Sequence, residues 1–371
     1  MRLEKPDRVP VMCQPSWGFV LIHNPDLDPL DVYHNHNGAC AKAFCNITDK
    51  FGFDGVMIPS VGLRALDINA VDRIDRDNPE GTTVYFKNGD ECVYCSDELP
   101  RYKYAKSPLI DIETFDPTTI SNKLEYHPAS TNLRMMIADD PAGRTAELRQ
   151  SRELLGGDLS LHGAIYSPED YLLDLLGIEE AMMALLTQPD KCTEIMMRFA
   201  DALVGHIKEQ AAVGIDAMDL SAPWSGQGFI SREIYKELIV PAQRVLVDAC
   251  RDLGVSIHCH TCGSIGDRLE MIIDAGFDGV ECLDPPPLGN VDLEDAVRRI
   301  GDRAYIKGNI DPVNVLLNGS LDQVRQSVKQ TLQTGMKSKG FILSTACSIA
   351  PKTPPQNLLV LRELADEFGL Y

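Results

Sequence analysis

The residues with the clearest chemical capacity lie in Val255-Ser-Ile-His-Cys-His-Thr-Cys-Gly263. The run reads as a buried strand. Successive strand residues face opposite ways, so His258, His260 and Cys262 share one face and Cys259 takes the other. The last ligand-capable pair forms an H-x-C-G, in which Gly263 permits a sharp turn once the side chains have been presented. Far downstream, Gly340-Phe-Ile-Leu-Ser-Thr-Ala-Cys347 ends a second apolar run in a cysteine. One imidazole and two thiolates, from His260, Cys262 and Cys347, suit Zn²⁺ and leave a fourth position for water or substrate. A lone cysteine is more often core filler. Two cysteines at two strand ends, one of them beside a histidine, favour a metal.

Those residues need a frame that brings strand ends together. Eight short apolar runs supply it: 8–14, 53–59, 159–165, 214–220, 255–262, 277–283, 303–309 and 340–344. Helical patterns lie among them, through Ala39, Ala43, Phe44 and Ile47 and then at about 141–155, 169–187, 190–213, 231–253 and 355–368. The strands are apolar without clean alternation, as strands buried on both faces should be. Strand–helix alternation on this scale predicts an α/β fold, a (β/α)₈ TIM barrel formed by one domain over 1–371. An open doubly wound sheet is the alternative, but neither a G-x-G-x-x-G after the first strand nor a Walker A motif supports it. Residues 60–140 break the rhythm and read as an irregular insertion or lid. They contain a β-hairpin, with Asn88-Gly89 as a two-residue turn.

In such barrels the reacting groups sit at the carboxyl ends of strands. That rule gathers Asp219, His258, Glu281, Asn309 and Asp311 at the rim as catalytic or substrate-binding candidates beside His260, Cys262 and Cys347. Ser221, Trp224 and Asp284 fall at the same rim. Each has an ordinary structural alternative. Asn309 and Asp311 can cap a helix starting near Pro312, Asp284 can begin a turn, and His258 can support a ligand instead of being one. His162 and His206 read as packing or surface residues, and Trp17 and Trp224 as core aromatics.

Composition narrows the function class. The net charge of −20 disfavours a nucleic-acid partner, which would require clustered Lys and Arg. No run reaches the ~18 apolar residues of a membrane span, and the charged start lacks the apolar stretch of a signal peptide. A cytoplasmic protein with no membrane partner is expected. Eleven cysteines, an odd number, favour reduced thiols over a disulfide framework. Cys92 and Cys95 form a C-x-x-C but sit in the hairpin without a βαβ context, so they read as strand residues.

These stretches resemble the uroporphyrinogen decarboxylase superfamily, and in particular its zinc-dependent, corrinoid-linked methyltransferase branch. The resemblance runs through Pro6-Asp-Arg-Val-Pro-Val, Ile230-Ser-Arg-Glu-Ile-Tyr-Lys-Glu-Leu-Ile-Val-Pro241, the H-x-C-G at 260–263, Lys307-Gly-Asn-Ile-Asp311 and Cys347-Ser-Ile-Ala-Pro-Lys-Thr-Pro-Pro-Gln-Asn357. It is poor over 60–140. The decarboxylases resemble one another in an M-R-Q-A-G-R segment whose arginines hold substrate carboxylates; this chain has Met12-Cys-Gln-Pro-Ser-Trp-Gly18. They also carry a histidine where this chain has Cys347. The resemblance implies a (β/α)₈ barrel, Zn²⁺ on His260, Cys262 and Cys347, and methyl transfer between a corrinoid protein and a small methyl donor or acceptor. That small molecule would be a thiol, a methoxy compound or a methylamine. No D-x-H-x-x-G-type cobalamin motif occurs here, so the corrinoid would come with a separate protein. A homodimer is expected from the family alone. Thiol-methylating members carry A-D-P after strand four, whereas this chain reads Ser221-Ala-Pro223 with Asp219 nearby, so its small substrate need not be coenzyme M. Tetrapyrrole decarboxylation and a non-catalytic zinc-binding barrel are the competing readings.

Overall fold

A computed structural model describes residues 3–129 and 133–371. Its centre is a seven-stranded parallel sheet. The strands are β1 (Gly55–Met57) and, after six strands of a separate segment, β8 (Ser160–Tyr166), β9 (Ala217–Ser221), β10 (Ser256–Thr261), β11 (Gly279–Cys282), β12 (Tyr305–Ile310) and β13 (Phe341–Thr345). They lie side by side in that order. β11 and β12 are buried at every position, as the sequence suggested for strands covered on both faces.

The intervening six strands belong to the 60–140 segment. β2 (Val71–Asp75), β3 (Thr82–Phe86), β4 (Glu91–Tyr94) and β5 (Arg101–Lys103) form an antiparallel sheet, and β6 (Tyr126–Ala129) pairs with β7 (Leu133–Met136). The expected hairpin is there, but its loop differs. Phe86 N donates to Asp90 O and Gly89 N to Phe86 O. The loop is therefore three residues, closed by Gly89 at φ +89°, the arrangement of a turn followed by a left-handed bulge residue. Cys92 and Cys95 are buried free thiols.

The run 8–14 is not a continuous strand. Val11 makes an isolated parallel bridge to Leu343 of β13, and Asp54 N, just before β1, donates to Val11 O at 2.8 Å. Pro10 has no N–H to offer a ladder, which limits pairing to isolated bridges. Segment 9–12 thus touches both edges of the parallel sheet. The remaining seven runs appear as strands within a few residues of their expected limits.

Helices cover the sheet, with two instructive departures. The pattern at 169–187 is two helices, Pro168–Leu176 and Ile178–Thr187, broken at Gly177, whose φ of +84° no helix accommodates. The pattern at 231–253 contains a π-helical turn, Tyr235–Ile239, before the α-helix Val240–Asp252. Pro241 removes one backbone donor there and loosens the ladder. No helix among the described residues is long and apolar enough to cross a membrane.

Candidate metal centre

The parallel sheet delivers the strand ends to one place. β10 pairs with β11 so that His260 lies opposite Glu281 and Thr261 opposite Cys282. Cys262 follows β10 directly, and Gly263 then turns at φ +75°, as its position after the H-x-C required. Asp284 accepts from Gly263 N at 2.6 Å and pins that turn. Cys347 arrives from the loop after β13.

The three expected ligands converge. Cys262 Sγ is 3.4 Å from His260 Nε2 and 3.4 Å from Cys347 Sγ. A fourth group joins them, because Cys282 Sγ lies 3.4 Å from both ring nitrogens of His260. Ligand-capable atoms of His260, Cys262, Cys282 and Cys347 all fall within 4.8 Å of one another. Zn–S and Zn–N bonds of about 2.3 and 2.0 Å set tetrahedral ligand atoms roughly 3.5–3.8 Å apart, close to the separations of Cys262 from His260 and from Cys347. Without a metal, the same contacts shift the protonation of His260 and Cys347. Burial opposes the His260 imidazolium, but the Cys262 sulfur beside it holds its pKa well above the ordinary value. Contacts from the Cys262 and Cys282 thiols, then from His260, hold Cys347 well below the usual thiol range.

Cys282 escaped the sequence reading because it adjoins Glu281. Alternation would send the two side chains to opposite faces. Both Cys282 and Leu283 adopt left-handed backbone, at φ +81° and +55°, and neither is glycine or asparagine. Nothing in the residue types signals that reversal.

A second buried constellation backs the first. His258 Nε2 lies 3.0 Å from Glu281 Oε2 and 3.2 Å from Asp219 Oδ1. Tyr305 Oη meets His258 Nδ1 at 2.9 Å, and Lys307 Nζ donates to Glu281 Oε1 at 2.7 Å. Tyr305 reaches that far because its ring lies across Gly279, where a Cβ would come within 2.4 Å of ring carbons. Burial disfavours a charged His258, but hydrogen bonds to Asp219 and Glu281 hold its pKa above the ordinary value. Glu281 links the two groups, with Oε2 3.9 Å from His260 Nδ1.

His258, Asp219 and Glu281 therefore stand together behind the thiol cluster. Asn309 donates to Leu283 O at 3.1 Å and steadies the unusual backbone after Cys282. Asp311 takes the structural alternative: it caps the π-helical turn Pro312–Leu317, accepting from Val313 N and Asn314 N at 2.8 Å each. Of the isolated groups, His162 is buried, and His206 pairs with Glu209 at 3.0 Å. Trp17 stacks on Tyr33 in the core.

With this geometry in view, the uroporphyrinogen decarboxylase (URO-D) family profile matches residues 139–368. The chain belongs to the uroporphyrinogen decarboxylase family. Within it, the chain is 28% identical over 225 residues to the methylcobamide:CoM methyltransferase MtbA of Methanosarcina acetivorans, covering 58% of this chain and 60% of that protein. It is 25% identical to the methylcobamide:CoM methyltransferase MtaA of Methanosarcina barkeri, covering 58% and 61%. A uroporphyrinogen decarboxylase of Carboxydothermus hydrogenoformans is 27% identical over 59% of the chain and 61% of that protein. The chain thus spans about 60% of the length of these curated relatives. Among solved structures, a methyltransferase from Methanosarcina mazei superposes with a TM-score of 0.70 at 19% identity, over 98% of this chain and 95% of that one. It shares the fold of this URO-D family member. All the ligand-capable residues of the centre fall inside the matched family segment.

Proposed function

We propose that this URO-D family protein is a zinc-dependent methyltransferase, moving a methyl group between a corrinoid on a separate protein and a small thiol or methylated substrate. The observation that carries the reading is the meeting of His260 and Cys262, at the end of β10, with Cys347, after β13, at spacings suited to one zinc ion. The similarity to methylcobamide:CoM methyltransferases supports the corrinoid side of it.

His260, Cys262 and Cys347 would hold Zn²⁺, which there lowers the pKa of a bound thiol or polarises a leaving heteroatom. The chain's own residues prepare that chemistry. Glu281 orients His260 and is itself held by Lys307 and His258. Asp219 Oδ1 approaches the same Nε2 of His258, while Tyr305 Oη holds Nδ1 on the other side of the ring. Asp284 holds the turn that presents Cys262, and Asn309 braces the backbone after Cys282.

We read the parallel sheet as a (β/α)₈ barrel in a single domain, with segment 9–12 bridging its two edges as the eighth member. The antiparallel sheet of the 60–140 insertion serves as a lid or docking face for the corrinoid protein. A cytoplasmic location suits such a partner.

Elemental analysis of wild type and Cys347→Ala, paired with methylcob(III)alamin demethylation by 2-mercaptoethanol, tests the reading. About one zinc per chain, lost in the variant together with methyl transfer, is expected. A zinc-free wild type, or full transfer by the metal-free protein, would overturn it.

A further inference from the structure

The fourth cysteine changes what kind of site this is. His260, Cys262 and Cys347 alone leave a coordination position open, the usual arrangement of a catalytic zinc, whereas four protein ligands close it. Cys282 lies as close to His260 Nε2 as Cys262 does, at 3.4 Å each. It is fully buried, while Cys262 and Cys347 are half-buried. Its Sγ is placed there by a left-handed backbone conformation, φ +81°, that non-glycine residues seldom hold. Regular strand geometry would have turned it away from Glu281's face.

We infer that Cys282 is a fourth ligand of the metal held by His260, Cys262 and Cys347, so that the resting site is a closed Cys₃His shell entered only by exchange of a thiolate. The inference rests on the zinc-dependent reading above and adds a condition on the substrate. An entering thiol gives its proton to the thiolate it replaces: one S–H bond breaks, another forms, and the net charge of the buried site is unchanged. A methoxy oxygen brings no proton. Its entry would leave the displaced Cys282 thiolate buried and uncompensated, which is costly in this setting. The closed shell therefore selects thiols over ethers as the small substrate.

X-ray absorption at the zinc edge of the wild-type protein tests the ligand count directly. Three sulfurs and one nitrogen are expected. Two sulfurs with full zinc occupancy and intact methyl transfer would remove Cys282 from the shell and leave the proposed function standing; absence of zinc would remove both. Cobalt-substituted protein gives a second readout through its thiolate charge-transfer band. Cys282→Ser should lower that band by about a third, since thiolate donors give it its intensity. Adding 2-mercaptoethanol should leave the wild-type band nearly constant, as one thiolate replaces another, and raise the band of the variant. Anisole should perturb neither. A wild-type band that rises with thiol as much as that of Cys282→Ser would show the position open from the start and overturn the inference.

Discussion

Lys307 Nζ lies 2.7 Å from Glu281 Oε1, with both side chains buried at 0% and 1% exposure. A pair so deeply buried is costly to break, because the surviving charge has no water to turn to. Replacing Lys307 with Met should destabilise the protein by roughly 3–5 kcal/mol, measured by urea unfolding. The double change Lys307→Met with Glu281→Gln should recover part of that loss, since no charge is then stranded. Equal stability of Lys307→Met and wild type would show that the pair does not hold the sheet together.

The same pair sets a pH dependence. Burial favours protonated Glu281, but the Lys307 charge and hydrogen bonds from the histidines outweigh it and hold its carboxyl well below the ordinary range. A depressed carboxylate contributes stability that is present above the unfolded value, near 4.5, and is lost as pH falls through the folded value.

Glu147 should behave in the opposite sense. It accepts from Gly62 N and Leu63 N at 2.7 and 2.8 Å, yet burial pushes its pKa up to about 7. A raised folded value means that its contribution is complete below 4.5 and is lost as pH rises through about 7. Glu147→Gln should flatten the fall in melting temperature between acid and neutral pH. A variant whose melting temperature tracks that of wild type across this window would assign the pH dependence elsewhere.

His258 offers a test of positioning apart from metal binding. It touches Tyr305, Glu281 and Asp219 but belongs to the group behind the thiol cluster. His258→Gln should keep about one zinc per chain while methyl transfer falls roughly 10–100-fold, the usual effect of disturbing groups that orient ligands. Loss of zinc in that variant would instead make His258 part of the ligand set.

How much of this was legible in the residues depended on whether local rules held. Seven strands and the meeting of His260, Cys262 and Cys347 followed from apolar runs, glycine turns and alternation along β10. Where a proline or glycine overrode the pattern, boundaries moved: Pro10 thinned the first run to bridges, and Gly177 cut one helix into two. Cys282 was invisible for a different reason. Its placement depends on left-handed backbone at two residues that do not favour it, at the end of a strand flanked by β10 and β12. Asp311 shows that a polar residue at a strand end can be spent on the backbone, since a helix-cap role has the same local signature as a catalytic one.

Removing the metal should expose the cluster's chemistry in a defined order. Cys262 and Cys347 are half-buried, whereas the other nine cysteines are buried. Of the two, Cys347 is held well below the ordinary thiol range by its contacts with the Cys262 and Cys282 thiols, while Cys262 is held above it, the Cys347 contact and burial outweighing the Cys282 and His260 contacts. The thiolate is the reactive form. Chelation followed by brief iodoacetamide treatment at neutral pH should therefore alkylate Cys347 first, with Cys262 slower and Cys92, Cys95 and Cys259 unmodified, as read by peptide mass spectrometry. Zinc-loaded protein should be protected at both Cys262 and Cys347, because bound thiolates are shielded by the metal and the closed shell. Equal labelling with and without chelator would mean that no ion joins these residues, whereas preferential attack on Cys262 would reverse the assignment of the resting thiolate within the cluster.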